Sequence, residues 1–112
     1  MNIIPFSDFE KVELRVGTIT KAEVNERAIK PAYKVWVDFG EEIGIKQTSV
    51  QITHHYNCDE LIGKQIMGCL NLGEKNIAGF KSEFLLCGFA DVDGKIVIVS
   101  PTLTVPNGAK LF

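Results

Sequence analysis

With 112 residues, 46% of them hydrophobic and 23% charged, the sequence has the makeup of one globular domain, residues 1–112, able to bury a core without disulfides or metal. A formal net charge of −2 lacks the strongly basic balance of a general polyanion binder, so any nucleic-acid contact would need a local group of lysines. No apolar run approaches the roughly 20 residues that span a bilayer, and the opening "MNIIPFSDFEK" lacks the positive start and long apolar stretch of a signal peptide.

In chain order, Ser7 or Asp8 followed by Glu10 or Lys11 signals a short helix start. "LRVGTITKAEV" then reads as a long strand. Its apolar positions lose parity after Val16, which predicts a bulge near Gly17. "NERAIKPA" is polar, contains Pro31 and reads as a loop. "AYKVWVDFG" is the cleanest strand: Tyr33, Val35, Val37 and Phe39 share one face, while Lys34, Trp36 and Asp38 share the other. In "IGIKQTSVQI" the apolar residues are odd-numbered at Ile43 and Ile45 but even-numbered at Val50 and Ile52. That shift predicts a bulge or corner within Lys46–Ser49.

"THHYNCDELIG" predicts a short helix after Thr53, with Tyr56 and Leu61 turned to the core. "KQIMGCLNL" is strand-like, "KSEFLLCGFA" reads as one buried strand, and "DVDGK" marks a turn before "IVIVS". The tail carries Pro101, Pro106 and an Asn107-Gly108 turn. Short strands at this spacing, with one short helix between the third and fourth, predict a small all-β barrel. Cys58, Cys69 and Cys87 form no C-x-x-C pair and read as reduced, structural thiols of a cytoplasmic protein.

Catalytic and metal patterns are thin. His54, His55 and Cys58 supply fewer than the four ligands of a structural zinc site, adjacent histidines point apart, and no second ligand pair follows. Neither a metal nor another cofactor is expected. Ser49 and Ser82 lie outside any G-x-S-x-G elbow, so no enzyme is expected either. The informative group is polar and aromatic. Lys46, Gln47, Ser49 and Gln51 come from one stretch; Asn71, Lys75, Asn76, Phe80, Lys81 and Ser82 come from "NLGEKNIAGFKSE". Lysines can pair with phosphates, amides and hydroxyls give adaptable hydrogen bonds, and a ring offers a stacking face. On composition alone the plainer reading prevails, with Phe80 in the core and Lys75 and Lys81 as solvated edge charges.

The order of "FEKVELRVGTITKAE", "VDFGEEIGIKQTSVQI", "LIGKQIMGCLNL", "IAGFKSEFLL" and "SPTLTVPNGAKL" changes that weighting. From about Phe9 to Phe112 the chain resembles the tRNA-binding-domain family. Through "GIKQTSVQI" and "IAGFKSE" it resembles the branch of CsaA, an export-related chaperone. The resemblance implies a five-stranded OB-fold barrel with one or two short helices and terminal extensions. It also implies a homodimer with both termini at the interface, no catalysis and no membrane insertion. For that branch the ligands are unfolded preproteins or peptides in the cytoplasm, with tRNA as the alternative.

The sequence departs from the tRNA-binding pattern "M-R-G-x-x-S-x-G-M". Ala78 stands at the Arg position, and Phe84 and Leu85 replace Gly-Met, while Asn71, Gly79 and Ser82 remain. Losing an Arg removes a bidentate phosphate contact. Phe84 is expected to widen an apolar patch beside Phe80, favouring peptide over tRNA.

Overall fold

The computed structural model describes all residues, Met1–Phe112. Its centre is a five-stranded antiparallel sheet, nearly closed into a barrel, in the order β3-β2-β1-β4-β7. These strands are β1 (Leu14–Val24), β2 (Tyr33–Asp38), β3 (Ile45–Val50), β4 (Gln65–Cys69) and β7 (Leu85–Leu86). Two hairpins flank it: β5 (Lys75–Ile77) with β6 (Phe80–Ser82), and β8 (Gly88–Ala90) with β9 (Ile96–Ile98). Only two short helices occur, α1 (Phe6–Glu10) and α2 (Cys58–Leu61). This is the all-β, OB-type barrel that the sequence led us to expect.

The alternation of β2 builds the core. Tyr33, Val35, Val37 and Phe39 are buried with Ile19, Ile52, Leu61, Ile66, Phe84, Leu86 and Ile98. Phe39 lies across β1 and β4, and a Cβ at Gly17 would come within 2.7 Å of its ring, one at Gly68 within 2.9 Å. Gly17 is therefore a close-approach glycine. The bulge expected there falls instead between Ile19 and Lys21, where the β1–β2 register shifts.

Three other expectations are corrected. β3 pairs with β2 without a register shift, so no corner occurs within Lys46–Ser49. Ile45 faces outward at 61% exposure, while Thr48 and Ile52 are buried; the apolar Ile45 had suggested a false inward parity. "KSEFLLCGFA" is not one buried strand but is divided among β6, β7 and β8, which pair with β5, β4 and β9 respectively. Finally, α1 begins behind Pro5 without a side-chain cap, so Ser7 and Asp8 lie inside it.

The helix after Thr53 forms only at Cys58–Leu61. Asn57 and Glu60 exchange hydrogen bonds in a capping box, and Leu61 is fully buried. Tyr56 packs on the core and its hydroxyl accepts from the Ile98 amide at 3.0 Å. The tail turns at Asn107-Gly108 and returns along β1, where Val16 donates to Ala109 and Leu111 donates to Leu14.

Candidate ligand-binding surface

The outward face of β2 and β3 carries an aromatic platform. Trp36 opposes Gln47, and Lys34 opposes Ser49. The β5–β6 hairpin folds over this face and sets the Phe80 ring edge-on to Trp36, 5.7 Å between centroids at 86°. Lys21 Nζ stands 4.6 Å from the Trp36 ring centre, and Lys34 Nζ stands 5.2 Å from that of Phe80. Trp36 Nε1 donates to Gln47 Oε1, while Gln47 Nε2 donates to the Lys81 carbonyl. Two rings and two ammonium groups are thus fixed on one half-exposed face, a geometry that offers stacking and cation–π contacts.

Between β3 and the segment that follows the hairpin, the barrel closes through one main-chain bond and several side-chain bonds. Glu83 N–H donates to the Gln47 carbonyl, and Gln47 N–H donates to Glu83 Oε1. Ser82 Oγ accepts from Ser49 N–H at 2.9 Å, and Thr48 Oγ1 donates to the Phe84 carbonyl at 2.8 Å. Ser82 is buried, and its hydroxyl closes the seam.

The sequence-predicted residues therefore divide. Gln47, Ser49, Phe80, Lys81 and Ser82 meet at the platform and seam. Lys75 lies beside them, in a cleft of about 380 Å³ that it shares with Ser49, Ser82 and Leu85. Gln51 is exposed and lines a second cleft with Ser49. Phe84 does not widen the apolar patch expected beside Phe80: it is 5% exposed and packs edge-on against Phe39 at 5.0 Å. Lys46 opposes Val37 and so lies on the other face of β3 from Gln47. Asn71 is remote too, accepting from Glu13 N–H and donating to the Lys11 carbonyl, which ties down the N-terminal segment. Lys81 is paired with Glu74 at 3.0 Å, and that carboxylate raises its pKa.

Arg27 and Lys30 were not anticipated. They lie in the β1–β2 loop and line the second cleft, about 490 Å³, opposite Ile77 and Ala78 of the hairpin. The Arg27 guanidinium rests against the hairpin turn, where a Cβ on Gly79 would come within 3.0 Å of Nη1. Neither cation belongs to an ion pair. The sequence signals were there: two cations in a polar loop, and Lys34 and Trp36 on the outward parity of the cleanest strand.

His55 and Asp91 form a separate pair at 2.7 Å. The Asp91 carboxyl also accepts from the amides of Lys95 and Asp93, and chiefly the Lys95 bond holds its pKa below the ordinary value. Cys87 is half-buried, and desolvation raises its thiol pKa, in keeping with an inert thiol.

Comparison with known proteins places this geometry. Over 99% of its length the chain matches the crystal structure of the chaperone CsaA from Bacillus anthracis str. Ames, with a TM-score of 0.92 and 43% identity, covering all of that chain. The CsaA chaperone of Picrophilus torridus matches at 0.89 and 42%, also over its full length. A methionyl-tRNA synthetase-related protein from Pyrococcus horikoshii matches at 0.86 and 29%. Curated methionine–tRNA ligases match as well, that of Flavobacterium johnsoniae at 32% identity, but the chain spans only 15% of that enzyme's length. Residues 14–110 match the family model described as "Putative tRNA binding domain". The chain belongs to the tRNA-binding-domain family.

Proposed function

We propose that this chain is a homodimeric, CsaA-like chaperone that binds unfolded preproteins or peptides through its OB-fold surface before export from the cytoplasm. The observation that carries the reading is the end-to-end match to two chaperones of that name, at 43% and 42% identity. The surface supports it. Phe80, Leu85 and Ile77 offer apolar contact around the hairpin, with Gln51 and Lys75 exposed beside them. Dimerisation has its own support, because Ile3, Ile4, Phe6, Leu103, Leu111 and Phe112 are exposed at the two termini. An apolar cleft of about 270 Å³ lies there between Leu14, Val16, Met67, Val105 and Leu111. Apolar surface of this kind marks interfaces.

The test is titration of a labelled unfolded preprotein, with unlabelled bulk tRNA as competitor at low and moderate salt. Saturable binding that survives both supports the chaperone. Absence of preprotein binding, with salt-sensitive binding of tRNA alone, overturns it. Light scattering that gives a monomer at micromolar concentration refutes the dimer.

A second reading, tRNA binding through the same surface, is favoured by one observation: Lys21 and Lys34 ride on aromatic rings, and unpaired Arg27 and Lys30 lie nearby. Its mark is a steep salt dependence, because each phosphate contact releases counterions.

A further inference from the structure

The closing strand of the barrel stops short. Neighbouring residues of an antiparallel strand alternate the direction of their main-chain groups. Gln47 and Ser49 direct theirs away from β2, toward the seam, where Gln47 N–H and C=O and Ser49 N–H are satisfied. Gln51 lies just past the strand's end at Val50, as the middle residue of a turn that Ile52 N–H closes on the Val50 carbonyl at 3.1 Å. Its main-chain N–H and C=O have no hydrogen-bond partner in the chain, and neither does its side chain.

This open edge is the floor of the 490 Å³ cleft, whose walls are the β1–β2 loop and the tip of the β5–β6 hairpin. Ala28, Ile29, Ala32 and Ile77 make the walls apolar, Arg27 and Lys30 are their only charges, and no carboxylate lines the cleft. The adjoining clefts extend it along the strand. One shares Ser49 and Ile77 and carries Lys75. The other shares Lys30 and Gln51 and carries Lys95. A buried neighbour supports the floor: Asn25, 3% exposed, donates through Nδ2 to Ser49 Oγ, while its Oδ1 has no partner.

We infer that the end of β3, from Ser49 to the turn at Gln51, binds an extended polypeptide as an added strand, with Arg27 and Lys30 anchoring a carboxylate of that segment. The inference rests on the peptide-binding reading above and specifies how the ligand is held. An exposed edge recognises main chain, so one site can accept many sequences. That is what an unfolded client requires. A phosphate would use the cations and the free amide of Gln51 but has no donor for its carbonyl. The apolar walls accommodate side chains of alternate residues, and the guanidinium suits a carboxylate.

The probe is a fluorescein-labelled, unstructured peptide of alternating Val and Thr with one central Glu. Two analogues carry backbone N-methyl groups on alternate residues, one set of each parity. The Glu pins the register. The expected result is about fivefold weaker binding per blocked bond for one analogue and unchanged binding for the other. Slower hydrogen exchange of the Gln51 amide should accompany saturation with the parent peptide. Gln51→Pro, which removes that amide, should weaken the parent peptide about fivefold while leaving thermal unfolding unchanged.

Equal binding of both analogues, with Gln51 exchange unaltered, overturns the strand-addition inference and leaves the chaperone reading standing. No binding of the parent peptide or of any unfolded preprotein overturns both. Protection of Gln51 by bulk tRNA alone, or by raising the protein concentration without peptide, assigns the edge to another occupant and also overturns the inference.

Discussion

Ser82→Ala decides between two roles for one hydroxyl. The sequence suggested a ligand contact, whereas the structure buries the group and has Ser82 Oγ accept from Ser49 N–H at 2.9 Å. Deleting the oxygen leaves a half-buried amide without its partner at a seam where β3 and β6 lack a continuous ladder. Leaving such a group unsatisfied costs about 1–2 kcal/mol. In a chain of this size that corresponds to roughly 4–8 °C in Tm. Urea and thermal unfolding, followed by the fluorescence of Trp36 on the neighbouring platform, would measure it. Preprotein affinity at 20 °C, where the variant is still folded, should be unchanged within about twofold. A variant of unaltered stability that binds preprotein tenfold more weakly would refute the seam argument and restore the hydroxyl to the ligand.

The platform predicts that Phe80→Ala weakens preprotein binding several-fold, measured by fluorescence anisotropy, and destabilises folding by about 1–2 kcal/mol through loss of the aromatic pair and the Lys34 contact. Ala78 is the only non-glycine residue with positive φ, +52°, in a two-residue hairpin turn with Gly79 at +78°. Replacing it with Asn, which tolerates that conformation, should raise stability by up to about 1 kcal/mol in urea unfolding. Asp91 and Glu13 both have pKa values lowered in the folded state, by the Lys95 amide bond and by Arg15 respectively as the main causes. Their contributions are present above the unfolded carboxylate pKa and are lost as pH falls through the lower folded values. Chemical denaturation across acid pH should show stability declining there, and Asp91→Asn should flatten the decline.

Much of the barrel was legible because β2 alternates strictly. Its inward set forms the core, and its outward set carries the Trp36 platform. Two of the misreadings share a cause: strand parity was inferred from where apolar residues sit. Ile45 is apolar and exposed, a common surface feature, and it suggested a corner in a strand that is regular. In the run Ser82–Leu86, Ser82, Phe84 and Leu86 all face inward and are buried. A serine in that set invited a surface role, and a phenylalanine beside it a surface patch. The division of the run among three partners was not legible, because β5, β4 and β9 that compete for its hydrogen bonds lie elsewhere in the chain. Asn71 was recognised as a special polar residue, yet its partners are the main-chain groups of Lys11 and Glu13, about sixty positions away.

The same long-range geometry alters the meaning of Ala78. Its sequence position is where tRNA-binding relatives were expected to carry Arg, so a local reading subtracts one cation from the surface. In the folded chain Arg27 arrives from the β1–β2 loop and lies against the adjacent Gly79. The cleft therefore has a cation supplied by the loop and not by the hairpin tip. A guanidinium on the tip would project from a turn with the β5–β6 ladder behind it. One on the loop faces the open edge of β3 across the cleft, where Gln51 offers an unused donor and acceptor. Charge beside a free strand edge suits an extended chain, whose carboxylate takes the cation and whose main chain takes both donor and acceptor, better than a phosphate, which takes only the donor. The overall charge of −2 gives no hint of this arrangement, since it depends on where two cations stand and not on how many the chain contains.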